Sequence, residues 1–455
     1  MSGVHPLTGV VRPYAWGSHT ALAELQGRPS PTDAPEAELW LGAHPGDPST
    51  LAGHDGPISL ADVIAEDPKG QLGVQVAAEF GPRLPYLMKV LAAEAPLSLQ
   101  AHPDQEYAKR AFAAQESDPD LPRNYTDGFH KPEMLVALTP FAALCGFRDP
   151  EVSATVLAAL ELPQLAPVVA ALRTGAEGLR EAVQLLLSWP ADDRAALIAG
   201  VVAAASRLVP AALVAAAPRP AGDAELAAAA SCTAASRPAA SRPAGDAEIA
   251  AASRSGGDGV AGAPRPAGDA EIAAGFALAL DLAGHYPADP GVLVALLLNQ
   301  VALAPGEAIW MPAGNLHAYL SGTGVEIMAA SDNVLRGGLT PKRVDVDELL
   351  KVLRFEVLED PKLPATQIAP GIVTWQVPVR EFVLYRVDLD GKRPPTAVPA
   401  EGPRIVLGTA GAVYVAEDHG TPVDVSPGKA AFAAAEAGPI TLAGVGQTFI
   451  AAVPS

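Results

Sequence analysis

The sequence predicts a mostly β protein with a helical insertion: a β barrel first, then a helical domain, then a second β domain at the C-terminus. Three observations carry this. Short strand-like runs cut by turn residues fill residues 1–100 and return after residue 285. Residues 150–208 instead repeat apolar side chains at three and four spacing, the helical period. The 42 glycines and 45 prolines in 455 residues also exceed the usual combined share of about 12%, so turns are frequent.

The N-terminal runs include Gly9-Val-Val-Arg-Pro, Glu38-Leu-Trp-Leu-Gly-Ala-His-Pro and Leu84-Pro-Tyr-Leu-Met-Lys-Val-Leu, and they read as a barrel or sandwich. Residues 104–116 turn helical, with Asp104 placed to cap the first turn. Strand character returns at Glu133. Residues 151–160, 176–187 and 192–208 read as helices, separated by Pro163, Gly175 and Pro190. A further helix is expected over 270–283 and a short one over 345–353. From about residue 371 strands alternate with turns to the end. The expected division is 1–149 and 289–355 as two parts of one barrel, 150–288 as the helical domain, and 356–455 as the C-terminal β domain.

Within the helical region, Arg-Pro-Ala-Gly-Asp-Ala-Glu-(Leu/Ile)-Ala-Ala occurs three times, beginning at Arg219, Arg242 and Arg265, 23 residues apart. Copies this alike point to recent tandem duplication rather than to a folded solenoid, whose repeats share a pattern and not identity. Their alanine, proline and glycine content offers little to bury. Residues 217–274 are therefore expected to form a low-complexity insertion without chemistry.

Lysine plus arginine total 31 against 51 acidic residues, a net charge of −20. Such a chain is a poor partner for nucleic acid or an anionic membrane, which need a basic face. Cys145 and Cys232 are too few for a disulfide scaffold or a four-cysteine zinc module. The N-terminus carries no basic stretch followed by an apolar one, and no run of about 18 apolar residues escapes interruption. A cytoplasmic location is expected. The C-terminal β domain has a single histidine, His419, so a metal centre is expected only in the first barrel.

The strongest chemical signal is Pro96-Leu-Ser-Leu-Gln-Ala-His-Pro-Asp. In an extended strand Gln100 and His102 share a face, and an amide oxygen beside an imidazole can hold a borderline divalent ion. Glu133 opens an apolar strand, a costly place for a carboxylate that lacks a partner. The stretch from Gly306 to His317 fits the second cupin signature: Gly306, five residues, Pro312-x-Gly314, two residues, then His317, although Ser321 stands where asparagine is usual.

These segments, with Tyr14-Ala-Trp-Gly-Ser, Trp40-Leu-Gly-Ala-His-Pro and above all Ala330-Ser-Asp-Asn-Val-Leu-Arg-Gly-Gly-Leu-Thr-Pro-Lys, resemble the type I phosphomannose isomerases. The resemblance covers about residues 8–150 and 285–355 and continues weakly to the C-terminus. It implies a cupin (jelly-roll) metal-binding barrel and a cupin-like C-terminal domain. It further implies one Zn²⁺ per chain held by Gln100, His102, Glu133 and His317. One carboxylate among those ligands leaves the site near +1. The implied reaction interconverts mannose 6-phosphate and fructose 6-phosphate through a cis-enediol.

Arg336 matches the family's catalytic arginine; a guanidinium stays charged at any working pH. The alternative is a structural ion pair, for which Asp332 is the neighbour. Lys131 is expected to take a substrate or proton-transfer role. Ser98, Lys89 and Lys342 are expected to bind the phosphate, with Arg148 as a further possibility, and Trp16, Tyr319 and Glu326 to line the pocket. The proton-abstracting group stays open among Lys131, Glu326 and a metal-held water. An iron dioxygenase of the same fold would use a third histidine where Gln100 stands. A non-catalytic sugar-binding cupin would lack a ligand or Arg336. No glycine-rich phosphate loop follows a strand, which argues against an added nucleotidyltransferase. The expected partner is a small sugar phosphate, with no nucleic acid or membrane, and the expected state is a monomer.

Overall fold

The computed structural model describes residues 3–53, 56–208, 267–392, 395–398 and 400–454. Two mixed-length sheets of eleven strands each dominate it, and every pairing within them is antiparallel. The first sheet runs Lys362–Leu363, Ala308–Met311, Glu133–Ala137, His317–Ala329, Tyr86–Ala93, Glu38–Gly42, Val10–Arg12, with the strands Gln100–Ala101, Phe141–Phe147, Leu298–Leu303 and Leu335–Arg336 attached through His317–Ala329 or its neighbours. The second is centred on the long strands Arg404–Glu417 and Ile440–Ala452. The fold is mostly β with helices between strands, as the sequence predicts.

Alternation along the strands splits the first sheet chemically. Met88, Val90, Met134, Val136, Val325 and Ile327 point into a core shared with Trp375, Ile405, Phe432 and Phe449 of the second sheet. The residues of opposite parity, Leu91, Ala93, Leu135 and Ala137, face the interior of the first barrel. Lys89, Glu133 and Glu326 have that same inward parity. Burying one face of each strand against the other sheet fixes register, because a one-residue slip would turn these charges into the apolar layer.

Val4–Thr8 and the hairpin Thr50–Gly53, Gly56–Ser59 join the second sheet, with Val4–Thr8 pairing Ala430–Ala433. The sequence does not show this, since strand partners are chosen in three dimensions. It also reads residues 1–100 as strands throughout. The structure places short helices there at Ala21–Leu25, Leu60–Glu66, Pro68–Leu72 and Val74–Phe80. Helices of five to seven residues are too short to stand alone or to display a period. Ser59 and Asp67 cap two of them, and burial of Leu60, Ile64 and Leu72 secures them.

The expected helices are present as Gln105–Ser117, Pro150–Ala158, Leu179–Leu187, Arg194–Leu208, Asp269–His285 and Val346–Val352, and Ala166–Leu172 and Gly291–Ala295 are added to them. Asp104 accepts from Tyr107 N–H at 2.7 Å, and Asp345 accepts from Glu348 N–H at 3.1 Å. These helices bury Val156, Leu172, Leu186, Val201, Phe276 and Leu282 in one cluster that continues to Leu99 and Leu335 beside the first sheet. The repeats beginning at Arg219 and Arg242 lie outside the described residues. The third is different from expectation at its end: helix Asp269–His285 begins within it, Glu271 accepts from Gly268 N–H at 2.9 Å, and Ile272 packs on the core. No helix among the described residues is long and apolar enough to cross a membrane.

Candidate metal and sugar-phosphate site

Backbone pairing gathers residues far apart in sequence. The two-residue strand Gln100–Ala101 lies between two others, with Gln100 opposite His317 on one side and Arg336 on the other. Glu133 faces Met311 and Met328 across its two neighbours. Lys89 is registered against Glu326 on one strand and Trp40 on the next. The turn before His317 needs Gly314: its φ is +78°, and an added Cβ would lie 2.8 Å from Arg354 Cγ. Only glycine adopts that backbone without strain, which gives the Pro-x-Gly part of the signature a physical reason.

His102, Glu133 and His317 are fully buried, and one ligand atom from each lies within 4.8 Å of the others. His102 Nδ1 is 2.7 Å from the Asn333 carbonyl and His317 Nδ1 is 3.1 Å from the Asn315 carbonyl. A carbonyl only accepts, so each Nδ1 carries a proton and donates, which leaves Nε2 of each ring facing the site. Those Nε2 atoms converge on Glu133 Oε2, at 3.4 Å from His102 and 3.2 Å from His317. His102 Nε2 lies within ion-pair distance yet makes no hydrogen bond. Burial drives its pKa down to about 4, against the pull of Glu133, which keeps the ring neutral. Two imidazole Nε2 atoms and a carboxylate oxygen gathered this closely, with His317 Nε2 at hydrogen-bond distance from Glu133 Oε2, form a donor set for a divalent cation. The residues present fit the metal that the resemblance implies, and Gln100 stands next to them in the ladder.

Charge is balanced around this cluster. Burial alone would raise the Glu133 pKa, but the Lys131 ammonium, with Nζ 2.9 Å from Oε1, holds it well below the carboxylate range. A second buried group lies beside it. Lys89 Nζ is 3.2 Å from Glu326 Oε2 and 3.6 Å from Glu38 Oε1. Tyr319 Oη donates to Glu326 Oε1 at 2.7 Å, and Trp40 Nε1 donates to Glu38 Oε2 at 2.7 Å. Desolvation works against the Lys89 ammonium, yet the two carboxylates keep its pKa above the usual lysine value. Glu326 moves up, because burial and the neighbouring Glu133 and Glu38 outweigh Lys89.

A cavity of about 660 Å³ opens over these groups and is lined by Gln100, Lys131, Glu133, Ser98, Arg336 and Lys342 among others. Trp16, Tyr319 and Glu326 also line it, as expected. Arg336 is half-buried there, and burial lowers its pKa. Its guanidinium has no carboxylate partner among the described residues. Asp332, the neighbour considered for a structural pair, faces His44 Nε2 at 3.5 Å instead. Lys89 also lines the cavity, with its ammonium paired to Glu38 and Glu326. Arg148 lies elsewhere: it donates to Ser153 Oγ at 3.1 Å and to the Leu296 carbonyl, beside a separate cavity. Sequence reasoning missed Glu38, Arg12 and Tyr286, which also line the site. Glu38 was findable, because it shares strand parity with Trp40; Tyr286 was not, since it arrives on a loop from the helical region.

Comparison with known proteins agrees with this geometry. Residues 4–150 match the family model of the phosphomannose isomerase type I catalytic domain. The mannose-6-phosphate isomerase of Escherichia coli is 33% identical over 450 residues, covering 97% of each chain. The human mannose-6-phosphate isomerase is 31% identical over 85% of this chain and 82% of its own. A crystal structure of zinc-bound mannose 6-phosphate isomerase superposes with a TM-score of 0.77 at 29% identity, over 99% of this chain and 100% of the other. A variant phosphomannose isomerase from Salmonella typhimurium gives 0.76 at 30% identity, over 99% of both.

Proposed function

The chain belongs to the type I phosphomannose isomerase family, and on that premise we propose that it interconverts mannose 6-phosphate and fructose 6-phosphate, using one Zn²⁺ and a cis-enediol(ate) intermediate. The observation that supports this most is the convergence of the His102 and His317 rings with Glu133 beneath a cavity that also presents Arg336 and Lys131. In this reading residues 1–149 and 289–355 supply the catalytic unit, 150–288 a helical domain, and 356–455 a C-terminal β domain without metal, with Val4–Thr8 and the 50–59 hairpin lent to the second sheet and Lys362–Leu363 to the first.

When bound by Gln100, His102, Glu133 and His317, the zinc ion supplies Lewis-acid polarisation of the sugar oxygens. The exchange removes one proton from C2, returns one to C1, and passes a hydroxyl proton from O2 to O1, so composition is unchanged. Lys131, fixed by Glu133, hands protons to and from the sugar hydroxyls. Arg336, lacking a carboxylate of its own, places its full positive charge where negative charge develops. Glu38 and Glu326 pin Lys89 in the wall, which shapes the pocket and leaves Ser98 and Lys342 to meet the phosphate. The buried aromatic wall around Tyr319 and Trp40 keeps water from the intermediate.

A coupled assay on mannose 6-phosphate, run with and without chelator and alongside metal analysis, tests this reading. Turnover that disappears with the metal and returns with zinc is the expected result. Isomerisation by rigorously metal-free protein would sink the metal assignment, and absence of turnover on either sugar phosphate by the zinc-loaded protein would sink the substrate.

A further inference from the structure

The loop that leaves the helical region touches the substrate side of the cavity, and one carboxylate in it makes the connection. Asp289 Oδ1 accepts from Gly291 N–H at 2.7 Å within its own loop, while Oδ2 accepts from Thr340 N–H at 3.0 Å across to the segment after Arg336. The approach there is backbone against backbone: a Cβ on Gly338, whose φ is +115°, would lie 2.7 Å from Gly291 Cα. Leu339 follows with a φ of +53° although it carries a side chain, a strained conformation that persists only where its surroundings enforce it. On its other side the same segment is tied to the metal strand, since Gly337 N–H donates to the Leu99 carbonyl and Leu99 N–H to the Gly338 carbonyl. Arg336, Thr340 and Lys342 all reach the cavity from this turn.

We propose that Asp289 is a positioning residue for the phosphate end of the substrate: by accepting from both Gly291 and Thr340 it sets the 337–342 turn that carries Thr340 and Lys342 to the cavity. The inference rests on the isomerase reading above and adds a specificity function for the loop that leaves the helical region. Without Asp289 two backbone N–H groups lose their acceptor, and the turn that holds Leu339 in its left-handed conformation loses one of its anchors, at Thr340. Lys342 is exposed, so the turn's backbone is what fixes where its ammonium can reach. Asp289 lies among neither the proposed metal ligands nor the acid–base groups. Its loss should therefore weaken binding of a phosphorylated sugar and leave the proton-transfer step alone.

The test is steady-state kinetics on zinc-loaded Asp289→Ala, Lys342→Met and the double variant, with inorganic phosphate as a competitive inhibitor, metal analysis and thermal midpoints. We expect Asp289→Ala to raise KM for mannose 6-phosphate and Ki for phosphate about tenfold, with kcat within threefold and zinc content unchanged. In the Lys342→Met background the same substitution should add less than about twofold, because the two act through one element. Asp289→Asn, which keeps one acceptor, should fall between. A lowered thermal midpoint with unchanged KM and Ki overturns the inference, and so does a fully additive double variant. Failure of the parent reading shows separately, as wild-type protein that does not turn over mannose 6-phosphate.

Discussion

The two sheets are built from similar strands, yet their inner faces differ completely. In the first, inward positions hold Lys89, Glu133, His317 and Glu326 at one end and Leu91, Leu135 and Phe141 at the other. In the second, the equivalent interior is Val406, Val413, Val415, Ile440, Leu442 and Ile450, and the buried Arg404 on the same face spends its guanidinium on the backbone carbonyls of Ala400, Ala434 and Gly438. His419, the histidine of segment 356–455, sits on the surface beside Asp418. An antiparallel barrel thus supplies geometry only, and chemistry depends on which inward positions carry ligands. Burying four charged or metal-ligating groups is costly unless each is paired, and in the first sheet each has a partner.

The sharpest way to break this contrast is to remove a ligand. His317→Ala leaves the Glu133 carboxylate and His102 without their third member and should abolish both zinc retention and turnover. Metal analysis after dialysis and the coupled assay decide it; full activity in a metal-free variant would contradict the site. Arg336→Ala should lower kcat by about 10²–10³, equivalent to roughly 3–4 kcal/mol of barrier, with KM within a few-fold. Arg336→Lys keeps the charge but loses the planar fork, so only partial recovery is expected. A destabilised Arg336→Ala protein with normal turnover per folded molecule would reduce this residue to scaffolding.

The second sheet should answer the opposite way. Ile450→Ala opens a cavity in its interior and should cost about 2–5 kcal/mol of stability, read by urea unfolding, while kcat per folded molecule stays near wild type. A kcat that falls with stability intact would show that the second sheet is coupled to the chemistry. A finer distinction separates scaffold carboxylates from site carboxylates beside the first sheet. Burial would raise the Glu348 pKa, but hydrogen bonds from Tyr125, at 2.6 Å, Tyr107, at 2.8 Å, and Lys351 hold it below the ordinary value. A depressed folded pKa gives stability that is complete above the unfolded value of about 4.3 and is lost as pH falls through the folded one. Wild-type protein should therefore lose stability between pH 5 and lower pH more steeply than Glu348→Gln, by urea midpoints, with zinc affinity at pH 7 unaffected. Parallel pH profiles would remove Glu348 from the stabilising groups.

Much of the site was legible in the chain. Gln100 and His102 are two apart in a strand, Glu133 opens an apolar run, and His317 follows a glycine that only a positive φ explains; each of these is a local fact. The neighbours were less legible. Lys89 looked like a phosphate ligand because charge in a −20 chain is conspicuous, and only the register with Glu326 and Trp40 reveals that its charge is already matched. The short helices over 60–80 show no period because they have none to show; caps and tertiary burial hold them.

What the sequence by itself determined is the set of local commitments: the strand parity that puts Gln100 and His102 on one face, the helix cap at Asp104, and the glycine three residues before His317. Those follow from side-chain chemistry and backbone sterics within a few residues, where no distant partner is needed. The tertiary structure alone decided which strand lies beside which, so that Gln100 sits between His317 and Arg336, the N-terminal strand Val4–Thr8 completes the second sheet, and Asp289 reaches Thr340. The physical reason is that antiparallel strands pair by hydrogen bonds common to every residue. Partner choice therefore depends on how all the apolar faces can be buried at once, and no segment carries that information alone.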